Sequence, residues 1–244
     1  MKEAIAALYT IYLGLKIWQK FLFWISFVIL LHFVYVISLL IFFPPITLTQ
    51  LNSQLTGHGL YRDYVSLKNI SSHAVLAVIA SEDQLFADHF GLDFESIEKA
   101  KEHNKKKKRK RGASTISQQV AKNVFLWQGR SWIRKGLEVY FTGLIEILWS
   151  KRRIVEIYLN IAEMGEGVFG IEAASQRFFR KPAKFLTMNE SAMIAASLPN
   201  PKRYRVKPVS AWVNFRTPWI INQMNRLKYD EDINKILVCA YNAK

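Results

Sequence analysis

Ala80-Ser81-Glu82-Asp83-Gln84-Leu85-Phe86-Ala87-Asp88-His89-Phe90-Gly91-Leu92-Asp93 is the stretch on which the reading of this chain turns. An apolar run, Val75-Leu76-Ala77-Val78-Ile79, leads into two adjacent carboxylates, Glu82 and Asp83, where a polar segment punctuated by glycine begins. A carboxyl group at such a boundary loses hydration, and its proton affinity rises toward the range useful to a general acid or base. An acidic pair at a helix end is more often a solvated or capping pair, so the weight falls on what surrounds it in the chain.

Upstream, Phe21 to Phe43 contains no Asp, Glu, Lys or Arg. As a helix it would reach about 34 Å, enough for a hydrocarbon layer of about 30 Å. Lys16 and Lys20 precede it, Pro44-Pro45 close it, and the next charge is Arg62. Basic flanks favour the cytoplasm, which predicts residues 1–20 inside, a transmembrane helix over 21–43, and one exported domain over 44–244. The apolar core is longer than the ~7–15 residues of a cleaved signal, and no small-x-small site follows it. The single cysteine, Cys239, allows no internal disulfide, so the exported part must be held by burial. The net charge is +15, and seven of these charges form one run, Lys105 to Arg111. That run carries no aromatic residue for base stacking and lies beyond the anchor, which argues against nucleic acid and for phosphates or anionic headgroups.

Downstream, the pattern is helical. Helices are expected from about Ser72, as cap, to Ala87, from Phe94 to His103, and from a Ser114 or Thr115 cap to Leu126. The polar ridge of the last, with Gln118 and Gln119, offers donors suited to a sugar or a phosphate. Ser131 caps a long helix to about Trp149, with Trp132, Ile133, Leu137, Tyr140, Phe141, Leu144, Ile145 and Leu148 as its expected buried side. Glu138 lies in that helix four residues after Arg134, an ion-pair spacing. Further helices are expected over Lys151–Asn160, Ile171–Phe179, from the Thr187 capping box to Leu198, and over about Val209–Leu227 and Asp230–Tyr241. Strand-like alternation is scarce, and no zinc spacing, phosphate-cradling glycine loop or Gly-x-Ser-x-Gly elbow occurs.

Four spaced motifs occur in order: Glu82-Asp83-x-x-Phe86-x-x-His89-x-Gly91-x-Asp93, Gly112-x-Ser114-Thr115-Ile116-x-Gln118-Gln119, Arg134-Lys135-x-x-Glu138, and Lys151-x-x-Ile154-x-Glu156-x-Tyr158-Leu159-Asn160. With Ala192 to Pro201 as a closing element, they resemble the peptidoglycan glycosyltransferases, the family that also forms the first catalytic domain of class A penicillin-binding proteins. The likeness covers about residues 60–205. No Ser-x-x-Lys signature follows, so the chain looks like the single-function, membrane-anchored form.

The resemblance implies a mainly α, lysozyme-like fold in two lobes behind one N-terminal transmembrane helix. It implies polymerisation of lipid II into β-1,4 glycan with release of undecaprenyl pyrophosphate, at the periplasmic face of the inner membrane. By motif position, Glu82 would be the base on the acceptor hydroxyl and Glu138 would assist the departing pyrophosphate. Ser114, Gln118, Gln119, Lys122 and Arg130 would hold that pyrophosphate and the neighbouring sugar. The implied partners are lipid II, the growing strand, membrane lipids and other cell-wall synthesis or division proteins. Metal ligands are unassigned, although a divalent cation such as Mg or Mn could bridge a carboxylate to phosphate. Leu85 and Leu137 stand where the family often has polar residues, and the dense charge of 105–111 could replace those contacts. Two rivals remain: a lysozyme-like glycan hydrolase, which also uses two acids, and a non-catalytic membrane-anchored scaffold.

Overall fold

A computed structural model describes residues 12–106, 112–129 and 131–241. Arg130 and the greater part of the basic run, 107–111, lie outside the described residues. The chain divides into two units at Phe42/Phe43.

The first unit is dominated by helix α1, Ile17–Ser38, whose 22 residues span about 33 Å at 1.5 Å each. It begins before the apolar run proper, taking in Lys20, and stops five residues short of Phe43. Most of its large side chains are exposed, the pattern that a helix surrounded by lipid would show. Tyr12, Phe23, Trp24 and Phe27 gather near its N-terminal end, and Trp24 Nε1 donates to the Tyr12 hydroxyl at 3.0 Å. The helix is compatible with a single-pass membrane anchor.

The second unit is mainly helical. Helix α2 is Leu48–Leu55, capped by Thr47 and Gln50. Helix α3, Ser72–Glu82, is apolar all round, and every residue from Ala74 to Ala80 is buried. A helix without a polar face must be surrounded. It is enclosed by α9, Met188–Ser197, α10, Ala211–Leu227, and α11, Glu231–Tyr241. Helix α4, Phe94–Lys106, has no buried residue and extends past the expected His103. A second group forms around α5, Ile116–Phe125, which packs on α6, Trp132–Leu148, and α7, Lys151–Ile161. Helix α8 is Ile171–Phe179.

Several local rules hold where expected. Thr115, Ser131 and Thr187 are N-caps, each accepting from the backbone of the third helical residue, and both threonines complete capping boxes. Two expectations need correction at α3: its cap is Ser71 rather than Ser72, and it ends at Glu82 rather than Ala87. Asp83 leaves the helix at φ −161° because its side chain is drawn to partners outside it.

A small sheet went unread. Strands β1, Tyr61–Arg62, β2, Glu163–Gly165, and β3, Val168–Phe169, are ordered β1-β3-β2, with β1 parallel and β2 antiparallel to β3. Elements of two or three residues are too short to show alternation. Gly167, at φ +68°, lets β1 approach: a Cβ there would lie 2.1 Å from the His58 carbonyl oxygen. Asn160 then ties α7 to the strand's continuation, with its amide donating to Val65 O at 2.9 Å and its oxygen accepting from Val65 N at 2.8 Å. Glu156, one helical turn earlier, accepts from Leu67 N at 2.6 Å. Two of the polar residues of the fourth motif therefore aim the chain into α3.

Helix α6 keeps part of its expected buried side, Phe141 and Ile145 with Leu144 and Leu148 half-buried, and loses the rest. Trp132 is 92% exposed and Ile133 76%, and Leu137 and Tyr140 also face out. The inward stripe is Glu138, Thr142 and Glu146, spaced four apart, with Phe141 and Ile145 beside it. Each acid on it is balanced locally. Glu138 accepts from Arg134 Nη1 at 2.7 Å and Lys135 Nζ at 2.5 Å, and Glu146 from Ser117 Oγ at 2.5 Å and Lys151 Nζ at 2.8 Å.

Candidate functional site

Glu82 is the last residue of α3, and Gly112 to Thr115 leads into the N-terminus of α5. Between them lies a cavity of about 660 Å³ lined by Glu82, Asp93, Ser114, Gln119 and, from the end of the closing motif, Pro199. A cavity of this size suits a sugar-sized ligand. The structure thus brings together Glu82, Ser114 and Gln119. Gln118 does not line it: that residue is 2% exposed and spends its carbonyl oxygen on the Thr115 backbone N–H, completing the α5 cap.

The two acids of the opening stretch part company. Glu82 Oε2 accepts from Gln119 Nε2 at 2.9 Å, and Ser81 Oγ lies 3.5 Å from Oε1. Burial raises the proton affinity of Glu82 above the ordinary carboxylate value. The Gln119 and Ser81 hydrogen bonds and the charge of Arg216 oppose that rise, and Asp83 adds to it. The balance favours a base with some appetite for a proton.

Asp83 is structural. Its Oδ2 accepts from the backbone N–H of Ile116 at 2.9 Å, and its Oδ1 lies 2.9 Å from His89 Nε2. Gly91 N donates to His89 Nδ1 at 3.1 Å, so the ring proton sits on Nε2 and is given to Asp83. Thr115 Oγ1 donates to Gly91 O at 2.7 Å, and Lys151 Nζ to His89 O at 2.6 Å. A carboxylate at a helix N-terminus also gains from the helix dipole. Asp83, His89 and Gly91 therefore fasten the end of α3 to the start of α5, which sets Glu82 opposite Gln119.

Glu138 is 3% exposed and held by Arg134 and Lys135. Lys122 stands within electrostatic reach of both glutamates and of those two cations. Burial lowers its proton affinity first, Glu138 and Glu82 raise it, and Arg134 and Lys135 lower it. Neither Lys122 nor Glu138 lines the cavity that holds Glu82, and Lys122 is the cation whose charge both acids feel. Among the described residues no group of three or more His, Cys, Asp or Glu is arranged to hold a metal ion. Glu138, already balanced by two cations, does not fit a divalent ion as it stands.

Two participants carried no assigned role in the sequence. Tyr158 was visible within the fourth motif, and its hydroxyl lies 3.4 Å from Gln119 Oε1. Arg216 on α10, stacked on the Trp219 ring at 3.5 Å, had no signal at all, since it sits in an ordinary amphipathic stretch.

A family model described as Transglycosylase matches residues 49–225. A biosynthetic peptidoglycan transglycosylase of Yersinia pseudotuberculosis serotype O:1b (strain IP 31758) is 55% identical over 182 residues, 73% of this chain and 76% of the relative. One of the same description from Yersinia pestis (strain Pestoides F) is 54% identical over the same length, with the same shares. The chain belongs to the transglycosylase family.

Proposed function

We propose that this enzyme exerts its peptidoglycan glycosyltransferase activity by extending glycan strands from lipid II, with Glu82 as general base. The observation that carries the reading is a partly desolvated carboxylate, hydrogen-bonded by a neutral amide, at the wall of a sugar-sized cavity. The ionised Glu82 takes the proton of the acceptor GlcNAc 4-hydroxyl as its oxygen attacks the anomeric carbon of the growing strand. The bond from that carbon to the undecaprenyl pyrophosphate breaks, and the pyrophosphate leaves with the electron pair. A single displacement inverts the anomeric centre and gives the β-1,4 linkage.

The leaving group needs no proton but gathers negative charge, so cations and fixed donors stabilise it. Lys122, Arg130 and Ser114 take that part. Glu138 assists by holding Arg134 and Lys135 beside Lys122, and Gln118 contributes through the α5 cap. The catalytic domain lies on the periplasmic side of the inner membrane with the N-terminus cytoplasmic, supported by Lys16 and Lys20 at the N-terminal end of α1. The uncovered apolar side chains of α6, Trp132, Ile133 and Ile147, support contact of the domain with membrane lipid.

The test is incubation of the purified full chain and its Glu82→Gln variant with labelled lipid II. Polymer from the first and none from the second is expected. Shortening of preformed glycan would support a hydrolase, and full polymer yield from the variant would remove Glu82 as the base.

A further inference from the structure

Gln119 belongs by sequence to the polar ridge suited to holding a substrate. In the folded chain both ends of its amide are engaged by protein. Nε2 donates to Glu82 at 2.9 Å, and Oε1 accepts from the Tyr158 hydroxyl at 3.4 Å. An ionised carboxylate offers acceptors only, so the NH₂ group must face Glu82 and the oxygen must face Tyr158. Tyr158 is 1% exposed, on the side of α7 away from Glu156 and Asn160. Burial first, then the charges of Glu82 and Asp83, keep its proton in place, so it remains a donor across the working pH range.

We infer that Gln119 is a positioning residue that acts on the reaction through Glu82, and that Tyr158 sets the orientation of its amide. This rests on Glu82 being the base. A carboxylate with free rotation about its terminal torsion would spread its lone pairs over many directions. One oxygen is fixed by Gln119 and the other lies 3.5 Å from Ser81 Oγ, so the carboxylate is held in one orientation on the cavity wall.

The groups facing Glu82 come from several elements. Helix α5 contributes Gln119 and Lys122, α7 contributes Tyr158, and α10 contributes Arg216; Ser81 and Asp83 flank it in sequence. Helix α9 offers the Ala195 carbonyl, within 3.4 Å of Ser81 Oγ, and its Glu190 is paired with Lys181. On α11, Glu231, Asp232 and Lys235 face solvent. Among these, Gln119 gives the strongest opposition to the burial of Glu82. Losing it raises the proton affinity of the base.

The experiment is steady-state lipid II polymerisation against pH for wild type, Gln119→Leu, Tyr158→Phe and Glu82→Gln. Gln119→Leu keeps the volume and removes the amide. Its acid limb should move up by about one pH unit, and its kcat at neutral pH should fall about 10-fold with KM within about 2-fold of wild type. Tyr158→Phe should move the same limb the same way, by less. Should Gln119→Leu fail to fold by circular dichroism, Gln119→Met carries the same expectation. A rise in KM with kcat and the acid limb unchanged would make Gln119 a substrate contact and overturn the inference. A Tyr158→Phe profile superimposed on wild type would overturn the part given to Tyr158. An inactive Glu82→Gln alongside either result leaves the base in place; a fully active Glu82→Gln overturns base and inference together.

Discussion

Glu82 and Glu138 carry the same side chain in opposite settings. Glu82 ends the core helix α3 and meets a neutral amide and a hydroxyl, with a cavity beside it. Glu138 lies inside α6 and is gripped by Arg134 and Lys135, with Lys122 in reach. Around the first, burial outweighs stabilisation of the charge. Around the second, three cations serve one anion, leaving a surplus of positive charge. A proton acceptor needs the first environment and an anionic leaving group needs the second, which is the division of work that the proposed mechanism assigns to these two groups.

The sharpest way to break this contrast is to neutralise each acid in turn. Glu82→Gln should cost a factor of ~10²–10⁴ in polymerisation rate. Its stability at neutral pH should be equal to wild type or higher. A carboxyl whose folded proton affinity exceeds the unfolded value of 4.5 binds more protons when folded, so stability falls as pH rises from 4.5 through the folded value, and glutamine removes that loss. Thermal unfolding of both proteins from acid to neutral pH checks it. Glu138→Gln should do the reverse, lowering stability by about 3 kcal/mol because Arg134, its side chain 11% exposed, is left largely shielded from water without its charged partner. Equal unfolding midpoints for the two variants would erase the distinction.

Gly91→Ala should cost about 2 kcal/mol, since the new Cβ would lie 2.6 Å from Thr142 Cγ2 and 2.9 Å from Glu146 Cγ at a φ of +76°. Urea titration measures it, and the rate of the folded fraction should also fall if this loop sets Glu82. The smallest effect is expected from replacing the seven residues of 105–111 by Ser and Gln. Polymerisation on anionic vesicles should slow about 3-fold, and less at high salt. An unchanged rate would leave that run without a part in catalysis.

What was legible in the sequence follows from range. The caps at Thr115, Ser131 and Thr187 obey rules spanning three residues, and they stand where those rules put them. The motif order fixed the family because several spaced patterns constrain one another. The orientation of α6 was legible only in part. Its apolar residues cover two faces, and the inward stripe is polar only because Ser117, Lys151, Arg134 and Lys135 satisfy it from nearby in space. The separation of Glu82 from Asp83 was hidden for the same reason. Asp83 is claimed by Ile116, thirty-three residues on, and no local pattern announces such a bond. The bonds of Gln119 to Glu82 and Tyr158 were hidden because these partners come from different helices.

The hydrogen bond from Thr115 Oγ1 to Gly91 O works as a clasp on a bracelet. Everything from Leu92 to Ser114, α4 included, is strung between two points held to each other. A change confined to the outer face of α4 therefore leaves in place the two fastened points that seat Glu82 opposite Gln119.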